Sequence, residues 1–225
     1  MCGRFTLTYS KDDLNAFLKD TYNIDEITHE VAPPRYNIAP SQQVLAVIHD
    51  GQKYRAGYLT WGLIPVWATS SNYYNIINVR SETLKSKHSF DFAFKSHRCI
   101  ILADGFYEWQ KKDNDKQPMH IHLKDHTIFG FAGIYHSQTL DDGTKSHTCA
   151  IVTTSPNELM KTIHDRMPVI LPFDVHETWV KPNTEKNTLT PLLKAFPSKK
   201  MDYFKVSKSV NKVNNDDASL IRPLS

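Results

Sequence analysis

Cys2 is the residue whose position gives this sequence its most distinctive chemistry. We expect Met1 to be removed, because methionine aminopeptidase acts when the next side chain is small. The α-amine and the thiol of Cys2 then belong to one residue, with reference pKa values of about 7.7–8.0 and about 8.5, so both are partly nucleophilic near neutral pH. Such an aminothiol condenses with an aldehyde, first to a Schiff base and then to a thiazolidine ring.

Two further residues are candidates for the proton transfers that this condensation needs. Glu108 lies in a string with Phe106, Tyr107 and Trp109, and desolvation by aromatic neighbours raises a carboxyl pKa toward the range that suits a general acid or base. His164 can stabilise an imine or activate a hydroxyl near neutrality. Simpler interpretations stay open, since Glu108 can lie on the solvated face of a strand and His164 can cap the end of a helix.

The bulk composition is that of an ordinary globular protein. The 225 residues include 40% hydrophobic and 23% charged side chains with a net charge of +3, so we predict one domain over residues 1–225. Three widely spaced cysteines argue against a disulfide scaffold or a zinc cluster, and we expect no metal and no cofactor. An N-terminus without an apolar signal core and the lack of a long apolar run predict a cytoplasmic protein that does not span a membrane.

Hydrophobic periodicity predicts more strands than helices, with strands joined by hairpins. Strands are predicted at 44–48, 53–61, 98–109, 119–123, 127–135, 147–154, 169–171 and 203–206, and helices at 11–21, 155–163, 173–180 and 189–195. The turn at Asp50–Gly51 joins the first two strands, and 119–123 is expected to pair with 127–135. This order predicts an α+β fold with a mainly antiparallel, curled, barrel-like sheet flanked by short helices.

Seven short strings occur in order along the chain, and together they are far more specific than any one of them alone. They are Cys2–Phe5, Arg35–Pro40, Trp61–Pro65, Asn78–Thr83, Asp104–Trp109, His164–Pro168 and Val206–Asn211. The set resembles the SRAP family, the SOS-response-associated peptidase domain, over essentially the whole chain. The resemblance implies recognition of abasic sites in single-stranded DNA and a thiazolidine crosslink through the N-terminal cysteine, which shields the lesion from strand scission.

The same resemblance implies roles for individual residues. It makes Cys2 the nucleophile and places Asn78, Glu108 and His164 in the same catalytic pocket. Asn78 suits this place because its amide can hydrogen-bond the opened sugar or the α-amine without titrating.

Contact with single-stranded DNA requires cations for phosphates and flat surfaces for bases. Arg4, Arg80 and Arg166 each lie within two residues of a predicted catalytic residue, so we expect them to line one groove. Asn37 is a candidate for a phosphate or base-edge contact, and Trp67 for stacking on a base. The alternatives are a turn role for Asn37 and a core position for Trp67.

Three other functions stay open. One is a thiol peptidase with Cys2 and His164 as a dyad, which would cleave peptides in trans. Another is an abasic-site lyase, in which β-elimination from the Schiff base cuts the strand. The last is a binding module for single-stranded DNA with no covalent step. Under the leading hypothesis the protein is a monomer whose partner is abasic single-stranded DNA, and it associates with the nucleoid when bound.

Overall fold

The computed structural model describes residues 2–25, 34–65, 76–86, 90–112, 115–139, 141, 143 and 145–224. Its strands are β1 Arg4–Leu7, β2 Arg35–Ile38, β3 Gln43–His49, β4 Tyr54–Trp61, β5 Asn78–Arg80, β6 Arg98–Ala103, β7 Gly105–Lys112, β8 Asp115–Leu123, β9 Phe129–Thr139, β10 Lys145–Thr154, β11 Met167–Pro168, β12 Ile170–Leu171 and β13 Met201–Lys205. Its α-helices are α1 Lys11–Tyr22, α2 Ser81–Ser86, α3 Asp91–Ser96, α4 His176–Val180 and α5 Lys186–Leu189. Short 3-10 turns follow several strands and helices, as at Met160–Thr162 and Lys208–Asn211.

Two sheets form the frame of the molecule. One has five strands in the order β13-β8-β7-β1-β2. In the other, β10, β4, β3, β6 and β9 pair in sequence, and the pairing of β9 with β10 closes them into a ring. The strand pairs are antiparallel except those of β10 with β4 and β5. The predicted α+β fold with a barrel-like, mainly antiparallel sheet is confirmed.

Helix α1 begins where the capping pattern predicts. The Ser10 hydroxyl accepts the N–H of Asp13, which satisfies one of the free amides of the first turn. Asn23 adopts a left-handed conformation and its N–H returns to the end of the helix, which terminates it. Leu14 and Leu18 lie on the buried face. The prediction of a helix over 11–21 is therefore confirmed, with one residue added at its end.

The segment predicted as a single strand over 98–109 forms two strands that belong to different sheets. The chain turns at Asp104, whose carboxylate accepts the hydroxyl of Thr6 and both the N–H and the hydroxyl of Thr8. These bonds tie the corner to β1 and direct β7 out of the barrel. As a consequence, Glu108 lies beside the N-terminal strand rather than in the barrel wall.

The predicted pairing of 119–123 with 127–135 is wrong, because the two strands belong to different sheets. Strand β8 pairs with β7 and β13, whereas β9 pairs with β6, β10 and β12. Between them His126 takes a left-handed φ of 52°. The short connection therefore crosses from one sheet to the other instead of closing a hairpin.

Two predicted helices also differ in the structure. In place of a helix over 155–163 there is a 3-10 turn, which Asn157 caps by accepting the Met160 N–H at 2.9 Å. The same side chain donates to the Phe196 carbonyl at 2.7 Å, so a tertiary contact also fixes the residues before the turn. The helix predicted over 189–195 begins earlier, as α5, and continues into a 3-10 turn that ends at Leu192.

Two apolar clusters hold the fold together. In the larger cluster, the Phe5 ring lies 5.2 Å from that of Trp61 and 5.7 Å from that of Phe131, so β1 is packed against the barrel. The smaller cluster joins Tyr107 of β7 to Val206 and other residues of the chain after β13. None of the described helices is long and apolar enough to cross a membrane.

Candidate active site

Four separate pieces of chain bring the predicted catalytic residues together. Cys2 lies just before β1, which pairs antiparallel with β7 and so places the N-terminal residues beside Glu108. Asn78 opens the short strand β5, which is held parallel to β10. His164 follows the 3-10 turn at Met160–Thr162. These residues are remote in sequence, and strand pairing sets their arrangement.

Cys2 is enclosed and held at its main chain. Its relative exposure is 0%, and its carbonyl oxygen accepts a hydrogen bond of 2.7 Å from Asn78 Nδ2. Asn78 Oδ1 is buried and has no hydrogen-bond partner among the described residues. Burial and then the nearby charge of Glu108 raise the pKa of the Cys2 thiol far above its ordinary value. The thiol is therefore neutral in this fold and needs a base before it can react.

Glu108 is a buried carboxyl, with 2% of its surface exposed. Burial raises its pKa, and His164, whose Nε2 lies 4.0 Å from Glu108 Oε2, opposes that rise. The solvated strand carboxylate considered from the sequence is thus excluded. Phe106 packs in the larger cluster while Tyr107 and Trp109 pack in the smaller one, and enclosure of Glu108 by these aromatic side chains stays a prediction.

His164 connects this carboxyl to solvent. Its Nδ1 accepts the N–H of Arg166 at 3.1 Å and lies 2.8 Å from Asp165 Oδ1, while 27% of the side chain is exposed. One edge of the ring therefore faces Glu108 and the other faces an exposed carboxylate. A partly exposed imidazole therefore lies between the buried carboxyl and solvent.

A basic groove lies beside Glu108 and His164. An open groove of about 880 Å³ adjoins a cavity of about 440 Å³, and Trp109, Lys111 and His164 line both. Glu108 lines the smaller cavity. The cations along the two are Arg80, Lys111, Lys116, Lys161 and Arg166. This concentration of positive charge suits an anionic chain better than a neutral small molecule.

Arg80 and Arg166 both line the groove, as predicted, but their surroundings differ. Arg80 is exposed at the end of β5. Arg166 forms a two-pronged ion pair with Glu82, with both bonds at 3.0 Å, and donates to the Thr153 carbonyl at 2.7 Å. The Arg80 side chain therefore stands exposed at the groove, whereas Arg166 fixes the turn that carries His164.

Arg4 and Asn37 do not line this groove and bond instead to the chain after β13. Arg4 Nη1 donates to Asn37 Oδ1 at 2.7 Å and to the Val210 carbonyl at 2.6 Å. Asn37 is fully buried, and its amide donates to the carbonyls of Val210, Lys212 and Asn215. A structural tether thus replaces the predicted DNA contact of Asn37, and DNA contact by Arg4 stays a prediction. Trp67 lies outside the described residues.

Trp109, Lys111 and Lys161 line the groove and were not among the predicted site residues. Trp109 and Lys111 stand at alternate positions of β7 and so share one face, which is a pattern readable from the sequence. Lys161 comes from the 3-10 turn that was predicted as part of a helix.

Within the described ranges, no three His, Cys, Asp or Glu side chains are arranged to hold a metal ion.

The fold is shared with solved structures. A crystal structure of a protein from Bacteroides thetaiotaomicron superposes with a TM-score of 0.87 at 27% sequence identity, and the match covers 100% of both chains. The similarity therefore extends over both sheets and over the pieces of chain that carry the candidate site.

Relatives with curated names are similar over the whole chain. The abasic site processing protein YoqW of Bacillus subtilis (strain 168) is 45% identical, covering 98% of this chain and 99% of its own. The abasic site processing protein YedK of Escherichia coli (strain K12) is 29% identical over 100% of both. The family model described as SOS response associated peptidase (SRAP) matches residues 1–213. The chain therefore belongs to the SRAP family.

Proposed function

We propose that this protein captures abasic sites in single-stranded DNA by forming a thiazolidine between Cys2 and the ring-opened sugar. The observation that carries the proposal is the enclosed Cys2, held by Asn78 and adjacent to a buried Glu108 that lines the smaller cavity beside the basic groove. The similar proteins YoqW and YedK are named abasic site processing proteins. An enclosed nucleophile suits a sugar that has lost its base, because no base has to enter the pocket.

The proposed reaction consumes the amine and the thiol of Cys2 and returns Glu108 to its starting protonation state. The α-amine of Cys2 adds to the aldehyde, and Glu108 protonates the hydroxyl of the resulting carbinolamine, which leaves as water. The remaining iminium carbon accepts the sulfur of Cys2 while the thiol proton returns to Glu108. One carbon–nitrogen and one carbon–sulfur bond form, one water is lost overall, and the ring nitrogen keeps its hydrogen.

The electrostatics of the site support this order of steps. Burial keeps the Cys2 thiol neutral, so the amine is the first nucleophile. The raised pKa of Glu108 favours the protonated carboxyl that the loss of water needs. Once the iminium has formed, its positive charge favours the thiolate. Asn78 Oδ1 supplies a buried acceptor for the amine, which is released when Met1 is removed.

A denaturing gel with intact-protein mass spectrometry tests the proposal. Protein lacking Met1 is incubated with a single-stranded oligonucleotide that carries one abasic site. We expect a heat-stable band whose mass equals protein plus DNA minus one water. A chain that retains Met1 should give no such band, because its Cys2 amine is part of a peptide bond. Failure of correctly processed protein to form the band would contradict the proposal.

The other candidate functions give different results in the same experiment. A lyase would release cut DNA faster than the crosslinked band appears. A binding module would retain DNA in a native gel and lose it on denaturation. A general thiol peptidase would cleave peptides added in trans, with no dependence on the abasic site.

The proposed phosphate contact of Arg80 predicts a change in the salt dependence of binding. Arg80→Ala should weaken binding to single-stranded DNA and reduce the slope of log affinity against log salt by about 0.7, the contribution of one released counterion. Binding is measured by fluorescence anisotropy between low and moderate salt. Arg222→Ala, an exposed arginine that does not line the groove, serves as the matched control. Equal slopes for the two variants would remove Arg80 from the interface.

A further inference from the structure

The chain after β13 holds several residues near the candidate site. We define residues 206–217 as the C-terminal segment. Its apolar side chains Val206 and Val210 pack against Tyr107 of β7 in the smaller cluster. Its carbonyls accept hydrogen bonds from Arg4 and Asn37, and Asp216 forms an ion pair with Arg35. The segment therefore covers the outer face of the five-stranded sheet and ties down β1 and β2.

One side chain of this segment reaches the smaller cavity. Asn211 is exposed at the end of the 3-10 turn, and its Oδ1 accepts the indole N–H of Trp109 at 2.8 Å. Asn211 and Trp109 both line the smaller cavity, together with Glu108 and His164. The backbone carbonyl of Asn211 also accepts a bond of 3.3 Å from Arg4.

The other described indoles are held in a different way. Trp61 and Trp179 are fully buried, and their indole N–H groups donate to backbone carbonyls of Ile77 and Cys99. Trp109 is half-buried, and its ring stands at the rim of the groove. Packing on all sides fixes a buried indole, whereas the Trp109 ring packs against the smaller cluster on one side only, so its polar tether adds to the constraint on its orientation.

We propose that Asn211 is a positioning residue that fixes the Trp109 ring at the rim, so that the ring presents its face to a nucleobase next to the lesion. The functional part of this inference rests on the proposed capture of abasic DNA. Stacking on an aromatic face is tolerant of sequence, since every base has a π-face. A preset ring loses less conformational freedom on binding, so Asn211 acts on DNA affinity and leaves the reacting groups untouched.

The placement of Trp109 is tested without DNA. In a ¹H–¹⁵N spectrum of the processed protein, Trp109→Phe identifies the Trp109 indole signal. Asn211→Ala is expected to move that signal and to leave those of Trp61 and Trp179 in place, which also shows that the variant is folded. Asn211→Asp keeps an acceptor at the same position and should restore the signal. The matched control is Asn214→Ala, an exposed asparagine of the same segment. An unmoved Trp109 signal in Asn211→Ala would overturn the placement.

The effect of Asn211→Ala on DNA binding is separated from its effect on the reaction by measuring both quantities. For Asn211→Ala we expect the half-saturating concentration of abasic oligonucleotide to rise about fivefold, the worth of one net hydrogen bond. The crosslinking rate at saturating DNA should stay within about twofold. An unchanged half-saturation, or an equal rise in Asn214→Ala, would overturn the role in binding. If wild-type protein forms no crosslink, the proposed function fails, and the indole signals still decide where Trp109 is held.

Discussion

A Cys2→Ala variant is expected to lose the heat-stable crosslink by at least about 100-fold, because the thiol alone closes the thiazolidine ring. Alanine is small, so Met1 is still removed and the α-amine remains. The variant should therefore form a reversible Schiff base that appears on a denaturing gel only after borohydride reduction. Binding to single-stranded DNA should persist, since the groove cations are unchanged. The measurement is the band intensity with and without borohydride.

Cys149→Ala is the matched control for this variant. Cys149 is a buried internal thiol, and burial raises its pKa as it does that of Cys2. Cys149 has no free amine beside it, so Cys149→Ala should leave the crosslink at its wild-type level. A heat-stable band from Cys2→Ala without reductant would show that the thiol is dispensable and that the product is not a thiazolidine. We expect a band from both variants after borohydride treatment, and a heat-stable band without reductant from Cys149→Ala only.

The sequence predicts the fold class better than it predicts the connections between strands. Hairpin turns and period-two alternation predict where the strands lie. Because few helices separate these strands, the sequence also predicts that the sheet is mainly antiparallel. They do not reveal that the chain turns at Asp104, because the turn is fixed by tertiary bonds to Thr6 and Thr8. The predicted strand begins at the right residue, but β7 continues to Lys112, and the division between two sheets depends on contacts remote in sequence.

The candidate site shows the same limit. The strings that carry Cys2, Asn78, Glu108 and His164 are visible in the sequence, and the structure brings these residues together. Their neighbours are less predictable. Asn37 stands in one of those strings, yet it bonds to the C-terminal segment instead of facing the groove. Proximity along the chain to a catalytic residue indicates a shared region, but strand alternation decides which face a side chain takes.

Glu108→Gln is expected to slow capture by about 10²–10⁴-fold, the usual contribution of a general acid–base group. Glutamine keeps the size and the hydrogen-bonding shape of the side chain but cannot deliver a proton to the departing hydroxyl. The initial rate of crosslink formation at saturating DNA is the relevant quantity, because DNA affinity should change little. Glu177→Gln, an exposed carboxylate on α4, is the control and should react at the wild-type rate. A Glu108→Gln rate within about threefold of wild type would exclude the carboxyl as the proton donor.

The pH profile separates the acid role of Glu108 from a structural one. The Cys2 amine reacts only when unprotonated, which lowers the rate at low pH. The protonated carboxyl is lost as pH rises through the pKa of Glu108, which burial raises, and this lowers the rate at high pH, so the wild-type profile should be bell-shaped. Glu108→Gln should keep the rising limb and lose the falling one.

Glu108→Gln should also change how the stability of the fold depends on pH. A carboxyl whose pKa is higher in the folded state binds its proton more tightly there, so its contribution to stability is full below the unfolded value of about 4.3. That contribution is lost as pH rises through the folded pKa of Glu108, which burial raises. Glutamine stays neutral, so the thermal midpoint of Glu108→Gln should exceed that of wild type more at pH 8 than at pH 4. The combination of a slower reaction and a more stable fold at high pH is what a buried carboxyl kept for proton transfer predicts. If Glu108 had only a structural role, Glu108→Gln would lower the reaction rate and the thermal midpoint together.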